Sequence, residues 1–169
     1  SEGTIDFVHD LYGDWSRQRV LLAHRTNLLG FINNRVGSIL WHRALRLFSL
    51  HVLEQNSDIS EWKSWLHAFA FEKENRDILQ TLFVEAVIHT PDAFSYLEKI
   101  WDELYCDDGQ LLRRLLYLCS ETRYDLSHPL NWLPVLQFLY AHRDQVIELA
   151  PNEIATIARK WLVQNQSPS

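Results

Sequence analysis

The chain has few of the residues that interrupt regular structure: of its 169 residues, five are glycine, five are proline and none is methionine. Average usage of about 7% glycine and 5% proline would give roughly 12 and 8 such residues at this length. Because both residue types mark turns, their scarcity favours long helices over many short strands. The chain also starts at Ser1 without a methionine, and we expect it to be a fragment of a larger protein.

The glycines that are present do not form a phosphate-binding loop. They are Gly3, Gly13, Gly30, Gly37 and Gly109, and they never fall into the spacing GxxxxGK or GxGxxG. Backbone amides wrap a phosphate closely only where glycines leave them room. The sequence therefore predicts that this chain binds no nucleotide by these devices, and we expect no other cofactor.

Cysteines and long apolar runs are also scarce. Cys106 and Cys119 are the two cysteines of the chain, and neither has the CxxC partner that a zinc site would use. We expect both to be free thiols in a reducing cytosol. No apolar run approaches the roughly 18 residues of a membrane span, and the first residues do not have the form of a signal peptide. The sequence predicts a cytoplasmic protein.

The charge of the chain argues against nucleic acid as its partner. Lysine and arginine number 16 against 22 aspartates and glutamates, which gives a net charge of −6. Binding to a phosphate backbone needs a concentration of basic side chains. We expect protein partners, or other domains of a parent polypeptide, and neither nucleic acid nor a membrane.

What the sequence does contain is helical spacing of apolar residues almost throughout, which predicts an all-α fold. The spacing i, i+3, i+4, i+7 and i+8 is shown by Trp62, Trp65, Leu66, Phe69 and Ala70. Trp62 and Trp65 form either part of the core or a partner-binding surface, and their spacing favours the core.

Helix boundaries are predicted where turn residues cluster. Helices are expected to end at Gly13, at Asn33-Asn34 and at Asp107-Asp108-Gly109. Thr90-Pro91 predicts a helix start, with a capping hydroxyl followed by proline at the first helical position. We expect one all-helical domain over residues 1–163, followed by a polar tail at 164–169.

Two architectures are compatible with this pattern. Alternate helices are predicted to start near residues 58, 91 and 130, at intervals of 33 and 39 residues. Such intervals are typical of helix pairs that stack into an α-solenoid. No residue signature repeats at that interval, so an irregular multi-helix bundle stays an equal alternative.

The eight histidines of the chain raise the question of a metal site. Asp6, His9 and Asp10 stand at i, i+3 and i+4, which would project three ligands to one side of a helix. No HExxH or HxH element accompanies them. We predict that these residues are solvent-facing and that the chain has no metal site.

An all-helical, metal-independent ribonuclease is the alternative function. Its chemistry needs an imidazole for proton transfer and a guanidinium for the phosphate, with four to six residues between an arginine and the histidine that follows it. Arg46 with His51 fits this spacing, as do Arg19 with His24 and Arg35 with His42, and the alternative is assigned to Arg46 and His51. The family usually has a polar residue directly after the arginine, whereas Leu47 follows Arg46. We interpret His24 and His51 as partly buried helix residues that are hydrogen-bonded to backbone or water.

Nucleophilic catalysis has still less support in the sequence. Cys119 lies on a leucine-rich helix, which is typical of a small core residue. No serine stands in a GxSxG elbow. We therefore assign no catalytic residues.

Residues 75–162 resemble the helical regions that follow the ATPase core in large bacterial STAND (NACHT-like) proteins, many of which serve in phage defence. The stretches concerned are NRDILQTLFVEAVIHTPDAF, YLEKIWDELYCDDGQLLRRLLYLCSET and HPLNWLPVLQFLYAHRDQVIELAPNEIATIARKWL. The features that carry the resemblance are the break at 107–109 before a Leu/Arg helix, the helix start Asn131-Trp132-Leu133-Pro134, and the Pro151 helix ending in Trp161-Leu162.

This resemblance implies that nucleotide and effector chemistry lies elsewhere in a parent chain. The segment would then be a connecting or sensing arm, consistent with its lack of Walker motifs. We expect a non-enzymatic helical scaffold that acts through protein–protein contacts.

Overall fold

The chain is all-α across the residues described by a computed structural model, which are 2–55, 58–121 and 133–165, with side chains described at 11–55, 58–121 and 133–160. No strand occurs in those ranges. The first helices are α1 (Glu2–Ala23), α2 (Leu28–Ile32), α3 (Ile39–Gln55), α4 (Ser60–Ala70) and α5 (Arg76–Ile88). The later ones are α6 (Ala93–Lys99), α7 (Trp101–Glu121), α8 (Leu133–Ala141), α9 (Arg143–Leu149) and α10 (Pro151–Asn165).

The helices form an all-α multi-helix bundle that separates into two compact units, residues 1–86 and 87–169. The stacking of helix pairs into a solenoid stays a prediction, as does the single domain over 1–163. α10 extends to Asn165, two residues into the predicted tail, and residues 166–169 lie outside the described residues. Among the described residues, no helix is both long enough and apolar enough to cross a membrane.

The core of the first unit is aromatic. The Trp62 ring stacks on Phe83 with centroids 5.5 Å apart, and Phe69 meets Phe83 edge-on at 4.9 Å. The Trp62 indole N–H donates to Ser49 Oγ at 2.7 Å, and the Ser49 hydroxyl donates to the Phe83 carbonyl at 3.1 Å. Trp62 is therefore a core residue whose polar atom is satisfied, which avoids the cost of a buried unpaired donor.

Trp65 lies at the edge of that core. Its ring is half-buried and stacks on Phe69 at 6.3 Å, while its indole N–H donates to Glu61 Oε1 at 3.3 Å. Trp62 is therefore a core residue, whereas Trp65 packs against the core and keeps part of its surface exposed.

The predicted helix end at Gly13 is wrong. α1 continues without interruption from Glu2 to Ala23, and Gly13 sits in its interior. Glycine inside a helix costs roughly 0.5–1 kcal/mol relative to alanine, which tertiary packing readily offsets. Here α1 packs along α3, and this contact favours one continuous helix over two short ones. The chain breaks instead at His24, where a 3-10 turn over Arg25–Asn27 leads into α2.

The predicted start at Thr90-Pro91 is also displaced. α6 begins at Ala93, and the Thr90 hydroxyl donates back to the Val87 carbonyl at 3.2 Å instead of capping the new helix. Pro91 and Asp92 form the turn between the two helices. The Thr90 hydroxyl thus bonds to a carbonyl at the end of α5, as Thr side chains at helix boundaries can do.

The predicted break at Asp107-Asp108-Gly109 is confirmed. These three residues have φ of 52°, 54° and 68°, so they interrupt the right-handed helix of α7 with a left-handed run. A Cβ on Gly109 would lie 2.8 Å from Leu149 Cδ1, and the position is buried. Gly109 is therefore required both by its backbone conformation and by the close approach of α9.

The second unit is built on α7. α7 packs against α10 and α9, and α6 packs against α8. Fully buried leucines of α7 fill its interior: Leu104, Leu112, Leu115 and Leu116. The Arg113 guanidinium donates to the Leu149 carbonyl at 3.0 Å, which ties the end of α9 to α7.

Candidate protein-binding surface

Arg46 and His51 are not assembled into a phosphate site. The Arg46 guanidinium donates to Glu85 Oε1 at 2.6 Å, which holds it against α5. His51 is half-buried and is the smallest of the causes that lower the pKa of Glu61 on α4. The Arg46 guanidinium is therefore already occupied by a carboxylate of another helix.

In the pair Arg35 with His42 each side chain has its own partner, and Arg19 of the remaining pair is exposed. Arg35 lies 3.9 Å from the centre of the Phe31 ring and donates to the Phe31 carbonyl, while His42 Nε2 is 2.6 Å from the Val36 carbonyl. His24 stacks on the same Phe31 ring, with centroids 4.3 Å apart. His24 is exposed and lies just after the end of α1, so the interpretation of His24 as a partly buried helix residue is wrong. These contacts are those of helix-end packing.

No group of three or more His, Cys, Asp or Glu side chains suited to a metal ion occurs in the described part of the chain. Asp6, His9 and Asp10 belong to α1, but their side chains lie outside the described ones. That these residues face solvent and bind no metal stays a prediction.

The two cysteines are free thiols, as predicted. Cys106 is exposed, whereas Cys119 is buried on α7. Burial raises the pKa of the Cys119 thiol to about 12, because the thiolate would lose its hydration. A thiol held in its neutral form is a poor nucleophile, which agrees with the interpretation of Cys119 as a core residue.

The most distinctive surface is on α1, whose two sides have opposite character. The inner face packs on α3: Leu21 is buried, and the Gln18 amide donates to the Leu47 carbonyl at 3.0 Å. Asp14 is buried there and binds two guanidinium groups, from Arg17 at 3.3 Å and from Arg43 at 3.6 Å. The inner face is thus fully engaged within the first unit.

The outer face of α1 carries large exposed side chains. We define it by the exposed residues Leu11, Tyr12, Trp15, Ser16, Arg19 and Val20. Tyr12 is 64% exposed and Trp15 is 59% exposed. Two aromatic side chains of this size in solvent, one turn apart, form an apolar patch of the kind that marks interaction sites.

A concave pocket of about 470 Å³ lies over this outer face. The described residues that line it are Tyr12, Trp15, Ser16, Gln18 and Arg19. It combines two aromatic rings with one guanidinium, the residue types that dominate binding energy at protein interfaces. It holds no His, Cys, Asp or Glu among those residues, so the chemistry it offers is recognition by apolar contact and by a fixed positive charge.

This surface is not predicted from the helix boundaries that the sequence suggests. Ending a helix at Gly13 placed Tyr12 and Trp15 on different elements, so their shared face was not seen. The signal that would have found them is the alternating three- and four-residue spacing of Tyr12, Trp15, Arg19 and Leu22 across the glycine.

Exposed apolar residues of the second unit are distributed over several helices. Tyr117 on α7 is 61% exposed, Tyr140 on α8 is 72% exposed and Ile147 on α9 is 51% exposed. The Arg143 guanidinium lies 5.1 Å from the Tyr140 ring centre, so that ring already has a cationic neighbour. Scattered residues of this kind are normal on a protein surface.

Comparison of the chain with protein-family models, curated proteins and solved structures returns no significant match.

Proposed function

We propose that this chain is a non-enzymatic helical scaffold that acts through protein–protein contacts, as a connecting or sensing arm of a larger bacterial STAND-type protein in the cytoplasm. The observation that carries the proposal is the outer face of α1, where Tyr12 and Trp15 are exposed beside a pocket. Tyrosine, tryptophan and arginine are the residues most often responsible for binding energy at interfaces. On this basis the outer face is the partner-binding surface.

The contacts on the inner face of α1 fix this helix to its neighbours, and a scaffold needs such a rigid attachment. Gln18 and Asp14 hold α1 to α3 through hydrogen bonds and ion pairs, and Arg46 of α3 reaches Glu85 of α5. A partner that displaces α1 therefore acts on a continuous set of packed helices within residues 1–86. This is a mechanical mode of action, in which displacement passes through contiguous side-chain contacts.

The parent protein is tested by its gene. We expect the native reading frame to continue beyond this chain and to encode a P-loop ATPase module upstream of it. A reading frame that carries no such module would refute the STAND assignment. The scaffold assignment would not be affected, because it is tested separately by crosslinking.

The protein-contact assignment is tested by site-specific crosslinking in the native parent protein. A photoreactive phenylalanine analogue replaces Trp15, and a matched one replaces Phe71, which is 86% exposed at the end of α4. We expect position 15 to crosslink to one dominant protein, and we expect position 71 not to crosslink to that protein. The captured protein is then purified, and its affinity is measured for the wild-type chain, Trp15→Ala and Phe71→Ala. Equal affinity for all three would overturn the assignment.

A further inference from the structure

We draw no further inference here: the strongest candidate, the pocket over the exposed apolar outer face of α1 around Tyr12 and Trp15, belongs to the surface already described, and nothing in the structure shows what covers it.

Discussion

Two groups of aromatic residues in the first unit have similar chemistry and opposite surroundings. Trp62, Phe69 and Phe83 are fully buried and touch one another, and the polar atom of Trp62 is bonded to Ser49. Tyr12 and Trp15 are more than half exposed on the outer face of α1. We call Trp62, Phe69 and Phe83 the inner group, and Tyr12 and Trp15 the outer group. The inner group makes the contacts that stabilise a fold, whereas much of the apolar surface of the outer group is exposed to water.

The difference separates residues that hold the molecule together from residues available for binding. Burial of an aromatic ring contributes several kcal/mol when it is surrounded by packed neighbours, and much less when more than half of it stays in solvent. Substitutions in the two groups should therefore affect stability and partner binding in opposite order.

The largest effect on stability is expected at the centre of the inner group. Trp62→Ala should lower the free energy of unfolding by about 3–5 kcal/mol, because it removes a fully buried ring and leaves a cavity against Phe83. Urea denaturation followed by circular dichroism measures this loss. Trp65→Ala at the half-buried edge is the control, and an equal loss there would contradict the assignment of Trp62 to the core.

A smaller effect is expected from the hydroxyl that serves this ring. Ser49→Ala removes the acceptor of the Trp62 indole N–H and should cost about 1–3 kcal/mol, since a buried donor is left unpaired. A double-mutant cycle with Trp62→Phe isolates the interaction. The cost of Ser49→Ala should be clearly smaller in the Trp62→Phe background; an unchanged cost would mean that the hydrogen bond does not matter.

The contribution of the Arg25–Glu61 pair, at the edge of the inner group, to the free energy of unfolding should depend on pH. The Arg25 guanidinium, hydrogen-bonded to Glu61, holds the pKa of Glu61 below its usual value of 4.5 against the opposing effect of burial, with help from the Trp65 indole. Because the folded pKa is the lower one, the pair stabilises the protein above pH 4.5, and this contribution is lost as the pH falls through the folded pKa.

The measurement compares the unfolding free energy of wild type and Glu61→Gln. A difference of about 1 kcal/mol is expected at pH 7, as for a partly exposed ion pair, and it should shrink on acidification below pH 4.5. Glu74→Gln, at an exposed position, serves as the control. A difference that grows on acidification would refute the direction of the pKa shift.

The outer group should barely affect stability. Trp15→Ala is expected to change the free energy of unfolding by no more than about 0.5 kcal/mol, because its ring is 59% exposed. Thermal and urea denaturation test this directly, with Phe71→Ala as an exposed aromatic for comparison. A loss as large as that of Trp62→Ala would mean that Trp15 belongs to the core, and the separation between the two groups would fail.

No effect at all is expected in the test of the ribonuclease alternative, which measures RNA cleavage. Labelled RNA is incubated with wild type and with His51→Ala, and we expect no His51-dependent cleavage, because the Arg46 guanidinium is already paired with Glu85. Arg46→Ala is the companion variant. Cleavage by wild type that both substitutions abolish would establish the nuclease and displace the scaffold.

The spacing of apolar residues along the sequence was sufficient to predict the all-α fold class, and turn residues predicted some of the helix breaks. The apolar period of Trp62, Leu66 and Phe69 corresponds to the buried side of α4, and the break at Asp107-Asp108-Gly109 is present in α7. Both depend on neighbours in sequence. Asp and Gly adopt left-handed conformations more readily than most residues, so a run of them interrupts a helix by its own preference.

Features set by distant contacts were not predictable in this way. Gly13 stays helical because α1 packs on α3, and Thr90 bonds back to Val87 where its hydroxyl was expected to begin α6. The candidate surface depends on the first of these. Only when α1 is continuous do Tyr12, Trp15 and Arg19 share one face, so an error of one helix boundary concealed the site.

The left-handed run in α7 has a consequence for how relatives of this chain can be recognised. Gly109 meets two independent requirements, a φ of 68° and a distance of 2.8 Å from its missing Cβ to Leu149. A smaller residue at position 149 would relieve the second requirement and leave the first. Through divergence, glycine should therefore persist at 109 while a large residue stands at 149, and positions 107 and 108 should be restricted to Asp, Asn or Gly. This short signature should outlast the leucine pattern around it as a mark of common ancestry.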